Sequence, residues 1–344
     1  MSDEAATAPV LQPLDMLPWH EPARLRLQTA STGARLPHAV LVHGPAGVGK
    51  EVFAAALAAT LLCTGRGEDF TACGRCADCA LCRAGSHPDL HWLRPLEDKK
   101  TVGVDQVREA CEQLAMTSMR RGFRIAIVQP AQAMTTNAQN ALLKTLEEPA
   151  PRTLLVLVTS RPSRLLATLR SRCQRLEIAC PAEPVARAWL EREGGAPVPG
   201  GLLDIAGGAP LRALEMAPHY EALEGQMSDL LEALLAGRTE ACAAAADMMG
   251  EGQYARLDWL ESWLAQLIRG RAVPTGTGLT VRGGPVLQRA AATVNISGAF
   301  RMVDRVREVR RLLEGSAAAQ LLVEALLVEV ASLPGGKGVV RWAQ

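Results

Sequence analysis

The apolar positions in the first half of the chain follow two alternating patterns. Short runs that are apolar at nearly every position, AVLV within 36–50, RIAIV within 123–134 and TLLVLVTS at 153–160, predict strands buried on both faces. Stretches with helical character separate them. EVFAAALAATLLC is made of good helix formers, TVGVDQVREACEQLAMTS places Val104, Val107, Cys111 and Leu114 on one stripe, and NAQNALLKTLEEPAP is helical until Pro149 stops it. Doubly apolar strands alternating with helices predict a parallel sheet covered on both sides. Beyond the strand-like QRLEI the β signal fades, and PAEPVARAWLEREGG and GGLLDIAGGAPLRALEMA read as small helices punctuated by Gly and Pro.

From about Tyr220 the chain reads as helical almost throughout, with a Gly-rich interruption at 271–285. In AFRMVDRVREVRRLLEG the positions Phe300, Val303, Val306, Val309 and Leu313 form an apolar stripe, and the Arg and Glu residues between them are expected to be solvated. The last helix, AAAQLLVEALLVEV, is apolar around most of its circumference and is expected to be buried, in its own bundle or against neighbouring subunits. The expected division is an α/β domain over 1–178, a small helical lid over 179–219 and an all-α domain over 220–344.

A length of 344 residues fits two or three domains. Net charge +1 gives no global field for capturing DNA or anionic membrane, so a nucleic-acid role requires a local patch or partners. No apolar run reaches the roughly 18 residues that span a bilayer, and the acidic start MSDEAATAPV has no apolar signal core. A cytoplasmic location is expected, with no membrane partner. In that reducing setting the nine cysteines are not a disulfide scaffold.

Five of them crowd together as Cys63, Cys73, Cys76, Cys79 and Cys82, which points to a metal site. C-x₂-C spacing lets thiolates converge through a tight turn, and four in tetrahedral array suit structural Zn²⁺ with no open position. Spacing also allows the register Cys73, Cys76, Cys79 and Cys82, which glances at iron–sulfur ferredoxins without their closing x₃-C-P. His87 is a possible ligand by type, although HPDL reads better as a structural turn.

At 43–51 the chain reads HGPAGVGKE, between a predicted strand and a predicted helix, as a P-loop requires. Gly44, Gly47 and Gly49 let backbone N–H groups approach a phosphate, and Lys50 would reach its outer oxygens. The Ser or Thr that would hold Mg²⁺ is replaced by Glu51, and the neighbouring strand ends in Gln129-Pro130 without the carboxylate that metal binding needs. Two independent parts of a hydrolytic site are missing, so intrinsic ATP hydrolysis is not expected, while ATP or ADP binding stays open.

LPHAVLVHGPAGVGK, NALLKTLEEP at 140–149 and LRSRC at 169–173, in that order around a cysteine cluster, resemble the AAA+ clamp-loader subunits of bacterial DNA polymerase III. HPDL at 87–90 and VDQVRE at 104–109 extend the resemblance over most of the first 215 residues. It implies an AAA+ fold with a helical lid and a C-terminal helical collar in a five-subunit ring. The implied partners are the gamma/tau ATPase subunits, the delta subunit, the beta sliding clamp and primer-template DNA. The relatives that hydrolyse ATP carry Asp-Glu where this chain has Gln129-Pro130, so the implied role is a rigid stator; an ATP-binding motor subunit is the alternative.

The family's metal pattern corresponds to Cys63, Cys73, Cys76 and Cys79, which leaves Cys82 surplus. The Arg of SRC corresponds to Arg172, an arginine finger that reaches ATP held by the adjacent subunit; read without the family, Arg172 is an exposed cation among Arg161, Arg164, Arg170 and Arg175. Arg212 is a weaker match to a lid arginine that senses nucleotide. A third reading, direct DNA binding through Arg120-Arg121 and the basic segment 161–175, has few aromatic platforms to support it, aromatic content being 3%.

Overall fold

The structure is a computed structural model that describes residues 14–33, 36–96, 99–120, 122–272, 294–313 and 318–333. The Gly-rich segment 273–285 and Arg121 lie outside the described residues. Two compact units are present: Met1–Trp189 with Ala209–Arg212, and Leu190–Gly208 with Ala213–Gln344.

The first unit is built on a five-stranded parallel sheet of β1 (Ala39–His43), β2 (Leu90–Leu93), β3 (Arg124–Val128), β4 (Thr153–Thr159) and β5 (Gln174–Glu177), in the order β2-β3-β4-β1-β5. Alternate residues feed two cores. Val40, Val42, Ile125, Ile127, Leu154 and Val156 pack with Phe53 and Leu57 of helix Lys50–Leu62. Leu41, Ala126, Val128, Leu155 and Leu157 face the other way, toward helices Val104–Ala115 and Thr136–Glu147. Burial on both faces is why β1, β3 and β4 read as continuous apolar runs. All strand C-termini lie at one edge, where the P-loop follows β1 and Gln129 follows β3. A P-loop after an interior strand of such a sheet, followed by a helical region, is the AAA+ architecture.

The second unit is helical and includes Tyr220–Leu235, Ala241–Met248, Gln253–Ala272, Ile296–Leu312 and Ala319–Ala331. Two expectations are corrected there, for Phe300 and for the Arg and Glu face. Phe300 is not on the buried stripe but 55% exposed; Ala299, Met302, Val303, Val306, Val309 and Leu313 are buried instead. Steps of three residues fall about 60° short of a full turn, so a run of them walks off the buried side.

The Arg and Glu face is not simply solvated either. Arg307 pairs with Glu261 at 2.7 Å, Arg310 with the buried Asp258 at 2.6 Å, and Arg305 with Glu329 at 3.4 Å, because Ile296–Leu312 lies between helices Gln253–Ala272 and Ala319–Ala331. The last helix buries Val323, Leu326, Leu327 and Val330 but leaves Leu321 and Val328 exposed within this chain. Neighbours on one side of a helix cover one side of it.

A buried side chain ties down the segment that carries Arg172. Gln139, on Thr136–Glu147, accepts from the Leu166 N–H at 2.8 Å and donates to the Met134 carbonyl at 3.3 Å, fixing the entry to helix Ala167–Arg172. Gln139→Leu would leave both backbone groups unpaired, a cost of about 1–3 kcal/mol. The expected outcome is a lower urea midpoint for the first unit; an unchanged midpoint would show that the two bonds contribute nothing net.

Candidate functional site

Gly47 and Gly49 hold φ of 76° and 80°, a region open to Gly at little cost, and a Cβ at Gly44 would run into the Ile178 carbonyl. The loop therefore has the shape its glycines announced. Its lysine and three of its carbonyls are engaged by the chain itself. The buried Lys50 donates its Nζ to the Pro45 carbonyl, and burial lowers its pKa to about 8, with Cys180 acting in the opposite direction. The Gly47 carbonyl accepts from the Leu211 N–H at 3.0 Å, and the backbone of Arg212 packs against Gly47. At the point where the resemblance suggested a sensor, Arg212 thus meets the loop through its backbone and Cβ.

From the N-terminal side, Trp19 Nε1 donates to the Val48 carbonyl at 2.9 Å, and its ring meets Trp189 edge-on at 5.3 Å. His20 Nδ1 accepts from the Leu17 N–H at 3.1 Å, so Nε2 carries the proton and faces the Val48 carbonyl at 3.3 Å. Burial lowers the His20 pKa to about 4 and keeps the ring neutral. Sequence reading missed both residues; the dipeptide Trp19-His20 before a helix carries no motif. Glu51, where a metal-binding hydroxyl would stand, is ion-paired with Arg94, whose guanidinium carbon lies 4.6 Å from the Trp92 ring centroid.

The cysteine cluster assembles around the short helix Ala77–Arg83. One Sγ from each of Cys63, Cys73, Cys76 and Cys79 lies within 4.8 Å of all the others. Cys63 to Cys76 is 3.8 Å and Cys73 to Cys79 is 4.0 Å, against about 3.8 Å between sulfurs on a tetrahedral Zn²⁺ at Zn–S of about 2.3 Å. Amides of Cys73 and Cys79 donate to Cys63 and Cys76 sulfur at 3.3 and 3.4 Å, bonds that support thiolate charge. Burial opposes ionisation of Cys76, but the Cys79 amide and contacts from Thr64 outweigh it and bring the pKa to about 5; burial raises Cys79 and Cys63. The donor set and spacing fit a four-thiolate metal site.

Cys82 lies outside the four. It packs in the core, and burial pushes its thiol up to about 12. His87 is buried as well, with Nδ1 accepting from the Asp89 N–H at 3.1 Å and Nε2 3.4 Å from Asp78, which makes it a turn residue. Asp78, on the cluster's helix, also pairs with Arg120, and Asp89 accepts from Ser118 Oγ and the N–H groups of Met119 and Arg120 at 2.9–3.1 Å. The module is thus docked on the sheet unit by two buried carboxylates. Part of the basic patch considered for DNA is committed here, since Arg120 is the partner of Asp78.

Arg172 ends the helix Ala167–Arg172. Leu169 and Cys173, four residues apart, are buried and leave Arg172 facing outward. Its guanidinium bonds to the Thr168 carbonyl at 3.0 Å and to Glu147 at 2.7 Å. The structure places Arg172, the P-loop and the cysteine cluster in one unit and does not bring the three together as one site; they are three separate features.

The family model described as DNA polymerase III, delta subunit, matches residues 19–182. The DNA polymerase III subunit delta' of Pseudomonas aeruginosa is 34% identical over 330 residues, covering 93% of this chain and 99% of that protein. Its counterpart from Escherichia coli is 36% identical over 256 residues, 73% of this chain and 76% of that one. A DNA polymerase III subunit gamma/tau from Mycobacterium tuberculosis is 32% identical over 166 residues, 48% of this chain and 28% of the longer relative. With identity at this level running nearly end to end, the chain belongs to the delta' family of DNA polymerase III subunits.

Proposed function

We propose that this chain is a stator subunit of a DNA polymerase III clamp loader, which does not hydrolyse ATP itself and lends Arg172 to ATP bound on a neighbouring subunit. The observation that carries the reading is the engagement of the P-loop by its own chain: Lys50 on Pro45, Leu211 on Gly47, Trp19 on Val48 and Arg94 on Glu51. A phosphate would need Lys50 released, and Mg²⁺ would meet a paired carboxylate with no second acid after β3. Gly44, Gly47, Gly49 and Lys50 are nonetheless all present, which keeps ATP or ADP binding, and the motor alternative, as the second reading.

Family membership supports the partners: gamma/tau ATPase subunits, the delta subunit, the sliding clamp and primer-template DNA, in the cytoplasm. No helix among the described residues is long and apolar enough to cross a membrane. The proposed division keeps an AAA+ domain at 1–178, a lid at 179–219 and a collar at 220–344. Charge accumulates on γ-phosphate oxygens as the phosphoryl group leaves, and a guanidinium delivered there stabilises it; in well-studied GTPases this contributes roughly 10³ to 10⁵ in rate. In the proposed role Arg172 supplies that charge in trans. Cys63, Cys73, Cys76 and Cys79 would hold a structural Zn²⁺, with no position left for substrate.

Three outcomes are expected. The purified chain alone shows no ATP turnover, whereas the complex reconstituted with gamma/tau, delta, clamp and primed DNA does; turnover by the chain alone that Lys50→Ala abolishes would assign the motor role instead. Arg172→Ala leaves the melting temperature and assembly intact and lowers the DNA-stimulated ATPase of the complex by about tenfold or more; wild-type turnover would remove the finger assignment. Metal analysis finds about one zinc per chain, lost in Cys76→Ser together with thermal stability, while Cys82→Ser keeps its zinc; iron in place of zinc, or zinc lost from Cys82→Ser, would overturn the ligand set.

A further inference from the structure

Arg172 and Glu147 are 25 residues apart in sequence and meet where helix Thr136–Glu147 ends beside helix Ala167–Arg172. The guanidinium turns back along its own helix. Nη1 donates to the Thr168 carbonyl at 3.0 Å, an oxygen that also accepts from Ser171 Oγ at 3.0 Å, and Nη2 donates to Glu147 Oε1 at 2.7 Å. Both terminal nitrogens of the fork, the pair that grips a phosphate bidentately, are therefore engaged within the chain. Glu147 is well placed as a holder, because it adds a carboxylate to the negative end of a twelve-residue helix dipole.

The holding is weak enough to exchange. Side-chain exposure is 37% for Arg172 and 52% for Glu147, so water screens the pair and its occupancy advantage is no more than about fivefold. A terminal phosphate carries more charge than one carboxylate and offers two oxygens to the fork, so it wins the guanidinium when it comes within reach. We propose that Glu147 is a positioning residue that keeps Arg172 docked on its own chain until the nucleotide of a neighbouring subunit displaces it. No covalent bond is made or broken; one charge-assisted hydrogen bond is traded for another. This rests on the reading of Arg172 as a finger. It adds that turnover before the complex is fully assembled on clamp and DNA is held down by Glu147.

The test uses the reconstituted complex carrying wild type, Glu147→Gln, Arg172→Ala or both changes, with ATPase measured without and with clamp and primed DNA. Melting temperature and assembly serve as controls. Glu147→Gln should raise the unstimulated rate about two- to fivefold, change the stimulated rate less, and have no effect when Arg172→Ala is also present. An unchanged or lowered unstimulated rate in Glu147→Gln, with Arg172→Ala defective, would overturn the docking role and leave the finger standing. A rise that persists in the double variant would overturn it as well, since Glu147 would then act without Arg172. Wild-type turnover in Arg172→Ala would remove the finger reading, and the docking proposal with it.

Discussion

The central strands β1, β3 and β4 are buried on both faces, and that constraint organises everything else in the first unit. A strand with no wet face needs cover above and below, and the helical crossovers that join parallel strands supply it. Parallel strands then end at a common edge. The loop after β1, the Gln129 turn after β3 and the segment after β4 that leads to Arg172 all start from that edge. One packing requirement thus delivers the phosphate-loop geometry and sends the SRC segment outward through Gln139.

At that edge a nucleotide site and a structural loop differ in where the polar groups point. A phosphate cradle leaves the lysine free and the loop open to its ligand. Here lysine and carbonyls are satisfied from three sides, by the N-terminal Trp19 and His20, by Leu211 and by Pro45 within the loop. Each such bond is worth roughly 0.5–1.5 kcal/mol net; of these, only the Lys50 bond to Pro45 uses a group that a phosphate would also claim, since loop carbonyls do not bind anions. The same bonds fasten the N-terminal segment and the start of helix Pro210–Met216 to the loop.

The cysteine module is attached by a different kind of contact. Asp78 and Asp89 are nearly inaccessible to water, and buried carboxylates are tolerated only when fully partnered. Arg120, His87, Ser118 and two backbone amides supply those partners, and this fixes the turn at 118–120 as firmly as the helix Ala77–Arg83. Asp78 and Cys79 are consecutive residues of that short helix, so one turn carries both part of the carboxylate anchor and one of the four clustered thiols.

Much of this was legible in the sequence. The strands at 39–43, 124–128 and 153–159 are apolar runs, the helix ending at Glu147 stops before Pro149, and the P-loop and C-x₂-C spacings are local patterns. β2 escaped notice because Leu90–Leu93 is a four-residue edge strand that is only half-buried and holds a histidine. Phe300 misled because a three-residue spacing imitates a helical stripe while drifting around the helix. Partnerships between distant residues were out of reach: Trp19 with Val48, Glu51 with Arg94, Asp78 with Arg120 and Glu147 with Arg172 join positions 25 to 43 apart. The sequence by itself determined the elements, the glycine loop and the thiol spacing, because periodicity, turn chemistry and C-x₂-C geometry act over a few residues. Only the tertiary structure decided that the lysine, the loop carbonyls and the outward arginine are engaged by their own chain, because those contacts exist only once the sheet has brought remote segments to the same edge.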